Sequence, residues 1–252
     1  MQPLAKLVRP VVVMCPALAG EDDAGGGYAG ETGESDQLPA HSHRCVGYWR
    51  VGETVLALEE AVAAASTGDI WLFRGVAFAD WTVRAATNSP VNHVGMAVAL
   101  DDLPALLWHA ELGSSLVDVW TGGHHRGVQL HLLADAVKTW SARYRQRAWV
   151  RQLEGPIERH HEDRLLEVIE RFDGRPFPTA LQLFRGWLRG RARRTTSLDT
   201  VFCAELVATT YQHMGLLPRT RPATWYDPGR FWSGDRIALV EPFALSAEIA
   251  VR

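Results

Sequence analysis

The chain has 252 residues, 47% of them hydrophobic and 22% charged, with a formal net charge of -3 at pH 7. That balance excludes a fully disordered chain and gives no electrostatic reason to expect a nucleic-acid partner. Three cysteines spread along the whole length make no disulfide framework, so a reducing, cytoplasmic compartment is the simpler expectation.

Residues 1–45 read as a disordered acidic, glycine-rich tail: Glu21, Asp22, Asp23, Glu31, Glu34 and Asp36 occur with Gly25, Gly26, Gly27, Gly30 and Gly33 and little apolar surface to offset ordering. Its first residues outline a signal peptide, but the apolar run is short and broken by Pro16, so export or lipoprotein processing at Cys15 is the minor expectation. At its end His41, His43 and Cys45 lie close enough to share a metal but lack a fourth ligand, and a linker is expected there.

The folded domain is expected over 46–252. Residues 53–66 have the spacing of an amphipathic helix. After the turn at Gly68-Asp69, I-W-L-F-R-G predicts a strand, and an irregular segment follows over 76–90. Strands are predicted at 91–100 (V-N-H-V-G-M-A-V-A-L), at 105–112 (A-L-L-W-H-A-E-L) and in G-V-Q-L-H-L-L from Gly127. A helix around 134–145, a strand at 148–153 and a helix from Ile157 to Phe172 come next. The arginine-rich stretch, with Arg185, Arg189, Arg191, Arg193 and Arg194, belongs to an expected loop over 176–199. A last strand is expected near 237–243. Strands joined by short turns and followed by helices predict an antiparallel sheet with helices packed on it, the α+β class.

No apolar run reaches the roughly 18 residues of a membrane-spanning helix. There is no HExxH, Walker A or GxGxxG motif, so no cofactor or metal is expected from sequence. His124-His125 and His160-His161 lack metal-ligand spacing and read as turn or surface positions. Trp225, Tyr226, Phe231 and Trp232 could wall a groove for an apolar or sugar-bearing substrate, but core from a closing loop is the simpler reading.

The chemistry concentrates in T-V-F-C-A-E-L-V-A-T-T-Y-Q-H-M-G, residues 200–215. Thr200 is an expected N-cap and Gly215 a stop signal, with Cys203, Leu206, Val207, Thr210 and Met214 on one face. A thiol in the first turn would feel the positive helix end, which favours the nucleophilic thiolate, and free N–H groups there would receive an oxyanion. On this helix alone, a cysteine filling core space is the simpler reading. A thiolate also needs a base, and that base needs an orienting group. His93, at the start of an apolar strand, is the candidate base. Alternation puts Leu107, His109 and Glu111 on one face of the next strand, so either His109 or Glu111 is a candidate orienter.

In order, G-D-I-W-L-F-R-G, N-H-V-G-M-A-V, L-L-W-H-A, G-V-Q-L and F-C-A-E-L-V-A-T-T-Y-Q-H-M-G-L-L resemble the permuted papain-like amidases of the YaeF/YiiX kind, within the NlpC-type papain-fold superfamily. The resemblance spans roughly residues 54–243. His93 precedes Cys203, the inverse of the usual papain order and the mark of the circularly permuted group. It implies Cys203 as nucleophile, His93 as base and His109 as the polar third member, where many relatives have Glu. The implied activity is hydrolysis of an amide, ester or thioester bond through an acyl-enzyme, on a small-molecule, peptide or lipid acyl substrate. Lipid or amine acyl transfer and a non-catalytic binding module are the alternatives.

Overall fold

The computed structural model describes residues 55–75, 89–100, 103–111, 113–175, 198–235 and 237–252. The expected acidic tail, the His41, His43 and Cys45 group, the segment 76–88 and the arginine-rich loop 176–197 lie outside the described residues.

The runs Ile70–Arg74 (β2), His93–Val98 (β3), Leu106–Glu111 (β4) and Gly127–Leu132 (β5) are buried at nearly every position, because both faces of the sheet they form are covered. With Val55–Leu56 (β1), Arg147–Arg151 (β6) and Ile249–Val251 (β9), they make a seven-stranded sheet in the order β1-β9-β6-β2-β3-β4-β5. Every neighbouring pair is antiparallel except β1 with β9. Leu153–Glu154 (β7) and Ala244–Leu245 (β8) form a separate antiparallel pair. This is an α+β fold.

Alternation divides the strand side chains between two cores. Ile70, Leu72, Val94, Met96, Trp108 and Ala110 pack with the helices α3 (Arg159–Phe172) and α4 (Leu198–Met214). Trp71, Phe73, Ala97, Leu107 and Val150 pack on the opposite face with α1 (Leu58–Ala63) and α2 (Leu133–Tyr144). Helix α2 reaches its sheet through Leu133, Ala136, Val137 and Trp140, the spacing of one helical stripe. Among the described residues no helix is long and apolar enough to cross a membrane.

Three sequence expectations are corrected. The helix over 53–66 is reduced to α1, because Val55 and Leu56 pair with Ala250 and Val251 and Leu58 N–H donates to Arg252 O at 2.9 Å. The last strand is displaced from 237–243: Val240 N–H is taken by Leu216 O at the end of α4, and Ile249–Val251 pairs with β6 instead. Helix α4 starts at Leu198, so Thr200 is helical instead of being its N-cap, and Cys203 is the sixth residue, in the second turn. Its far end is as expected. Gly215 takes φ +87° and lets Leu216 N–H reach back to Tyr211 O at 2.8 Å, closing the last turn. In the aromatic loop Tyr226 and Phe231 are buried, and Trp225 and Trp232 are half-buried against the same core.

Candidate active site

A line of polar side chains crosses the α2 face of β3, β4 and β5. Pairing sets Phe73 opposite His93, and Asn92 secures the entry to β3 by accepting Gly75 N–H at 2.8 Å. The strand register then aligns His109 with Gln129 and Leu107 with His131. The result is a series: His93 Nε2 lies 3.2 Å from His109 Nδ1, His109 Nε2 lies 3.0 Å from His131 Nδ1, and His131 Nε2 lies 3.0 Å from Gln129 Oε1. Gln129 Nε2 donates to the carbonyls of Gly113 and Gly127 at 3.3 and 3.4 Å.

Close backbone approach makes room for this line. A Cβ on Gly95 would come within 2.8 Å of Leu107 Cδ1 and 3.2 Å of His109 Cβ. Over the rings lies Trp140, edge-on to His93 and His109 with centroids 5.4 and 5.0 Å away, and itself against Phe73 at 4.8 Å. That apolar cover strips water from the imidazoles and disfavours their charged forms. Burial lowers His93 to about 4. His109 falls well below its ordinary value through burial, then through the neighbouring His131 and His93. His131 falls to about 4 through burial, opposed by the Asp118 carboxylate. All three rings are therefore neutral at pH 7.

His93 and His109, two of the four sequence candidates, are brought together. Glu111 shares their face of β4; its Oε1 is buried with no hydrogen-bond partner among the described residues, and burial raises its carboxyl to about 7. Cys203 is fully buried in the opposite core, with Val94, Met96 and Ala110, while among the described residues His93 has His109 as its polar side-chain partner. The first-turn placement expected for the thiol is corrected by the start of α4 at Leu198. His131, Gln129 and Trp140 were missed. Their signal was present in V-Q-L-H-L, where two polar side chains occupy alternate positions of an otherwise apolar strand.

A second group of donors is Asp118, His125 and Asp173, whose ligand atoms all lie within 4.8 Å of one another. This donor set could hold a divalent cation. Asp118 also serves the fold, accepting Leu130 N–H and Thr121 N–H, each at 2.7 Å. Burial and the Asp118 charge raise Asp173 to about 7. A cleft of about 660 Å³, lined by Glu167, Arg171, Phe172, His213, Arg219 and Arg221 among others, contains none of the histidines of the series. The paired histidines are local: His124 contacts Ser114 O, and His161 Nδ1 accepts Glu158 N–H at the start of α3.

No family model matches the sequence, and no curated protein matches it. Among solved structures the chain is similar to the crystal structure of metalloprotein yiiX from Escherichia coli O157:H7, DUF1105, with a TM-score of 0.39 and 22% identity. The match covers 60% of this chain and 66% of that one, just under two thirds of its length.

Proposed function

We propose that this protein is a hydrolase of acyl bonds (amide, ester or thioester) on a circularly permuted papain-like fold, with His93 as the proton-transfer group, His109 as its orienting partner and Cys203 as the nucleophile. The observation that supports the reading is the His93–His109 ring pair, 3.2 Å between nitrogens and covered by Trp140, on strands that precede the cysteine helix. The reaction needs Cys203 to be brought to His93 from the core on the other face of the sheet; there the thiol would pass its proton to His93 as sulfur bonds to the carbonyl carbon. His93 returns that proton to the leaving group as the C–N, C–O or C–S bond breaks. Water then attacks the acyl-enzyme, giving a proton to His93, which passes it to the departing thiolate sulfur as the C–S bond breaks and the acid is released. Because burial lowers His93 to about 4, its imidazole is neutral at rest and able to take up a proton during attack.

Burial of Cys203 in the core across the sheet favours a second reading, in which His93 activates water directly and no acyl-enzyme forms. Intact-protein mass spectrometry with activated acyl esters and with C203A and H93A separates the two. The first reading expects an acyl adduct that C203A abolishes along with turnover; the second expects turnover to survive in C203A without an adduct. H93A loses about 10²- to 10⁴-fold in either case, and an active H93A overturns both.

A further inference from the structure

We propose that Gln129 sets the proton order of all three histidines in series, and thereby makes Nδ1 of His93 the basic atom of the site. The argument begins at the buried end. The Gln129 amide nitrogen faces two backbone carbonyls, those of Gly113 and Gly127, and carbonyls only accept hydrogen bonds. The amide therefore has one orientation, since reversing it would turn its oxygen against both carbonyls. Gln129 is fully buried, so water cannot relieve the reversed arrangement.

With the amide fixed, Gln129 Oε1 is an acceptor aimed at His131 Nε2, which must carry a hydrogen. A neutral imidazole has one N–H, which leaves the lone pair on His131 Nδ1. That lone pair faces His109 Nε2, so this nitrogen is protonated and His109 Nδ1 is not. By the same step His93 Nε2 donates to His109 Nδ1, and the lone pair of His93 is on Nδ1. Each ring donates from Nε2 and carries its lone pair on Nδ1, and each bond polarises the next in the same sense. The opposite order would set two lone pairs against each other at Gln129 and leave a buried clash that no partner relieves.

Gln129 and His131 are thus positioning residues: they act on His93 through His109 across three strands. The two glycines that supply the anchor carbonyls suit the task. Gly127 takes φ +117°, and a Cβ on Gly113 would meet Glu111 Oε1 at 2.6 Å.

The assignment rests on the proposed function only in taking His93 as the reacting group; the proton order can be read without any turnover. Long-range ¹⁵N–¹H correlation spectra of the full chain at pH 7.5, assigned with H93Q, H109Q and H131Q, report which nitrogen of each ring is protonated. In the wild type all three histidines are expected as the Nε2–H tautomer, with a lone-pair signal at each Nδ1. Q129L removes the anchor and is expected to convert His131, His109 and His93 together to tautomer mixtures. A wild-type His93 carrying its hydrogen on Nδ1 overturns the proposal, as does a folded Q129L with all three tautomers unchanged. The wild-type spectrum decides even where Q129L does not fold, and an inactive protein with the expected tautomers would reject the hydrolase reading alone.

Discussion

Trp140 and His109 meet edge to face, 5.0 Å between ring centroids and 73° between planes, although one side chain belongs to a helix and the other to a central strand. The indole closes the histidine series against water on its helix side, and that dryness keeps the imidazoles neutral.

Replacing Trp140 with alanine removes the cover from two imidazoles and a packing partner of Phe73. The expected loss is about 3–5 kcal/mol by chemical denaturation. In molecules still folded, His93 titrates closer to 6.5; an unchanged His93 in NMR titration would show that the indole does not control its hydration.

Gly95→Ala places a methyl 2.8 Å from Leu107 Cδ1 and 3.2 Å from His109 Cβ. The variant is expected to be less stable by about 1–3 kcal/mol, the cost of overpacking. It should also shift the ring resonances of His109, because relief pushes that strand outward. Wild-type stability with unmoved His109 signals would contradict the close approach.

The pH dependence of stability has two opposed components. His93 and His131 hold folded values near 4 against 6.5 in the unfolded chain, so the unfolded state binds more protons and stability rises with pH from about 4 to 6.5. Glu111 runs the other way: raised from 4.5 to about 7, it stays protonated when folded, so its contribution falls as pH rises through that window. E111Q removes the falling component. Its stability relative to wild type is expected to climb between pH 4.5 and 7 and then level, whereas a constant offset in urea melts would rule out a buried neutral carboxyl.

If His93 is the base, kcat/KM of the hydrolase keeps its value well below the ordinary histidine range. The acid limb is expected near pH 4, where the free-enzyme imidazole becomes charged. A limb near 6.5 would mean that the essential base is a solvated group.

On the other face of the sheet, Trp108 Nε1 donates to Thr210 Oγ1 at 3.1 Å, joining β4 to α4. Thr210→Val is close in shape and leaves a buried indole N–H without its acceptor, for an expected loss of about 1–3 kcal/mol. T210S keeps the hydroxyl and loses less. Equal losses in the two variants would point to packing and not to the hydrogen bond.

Read by itself, the sequence determined the α+β class, the central strands, the helix that stops at Gly215 and the two candidates, His109 and Glu111, for the neighbour of His93. All of these rest on local pattern: apolar runs of strand length, helical spacing, turn residues, and two polar positions on adjacent strands. Tertiary structure decided the rest. Val55 and Leu56 gave up a helical pattern for a partner nearly two hundred residues away, and Ile249–Val251 became a strand through β6. Between His109 and Glu111 the choice fell to ring placement, and His131 and Gln129 joined the series only through the β4–β5 register. Cys203 was legible as a residue on a buried helix face, but alternation within one strand cannot say which face of the sheet that helix will cover. The physical reason is common to all of them: periodicity assigns side chains to faces within an element, whereas contacts between elements follow from register and layer, which no single segment contains.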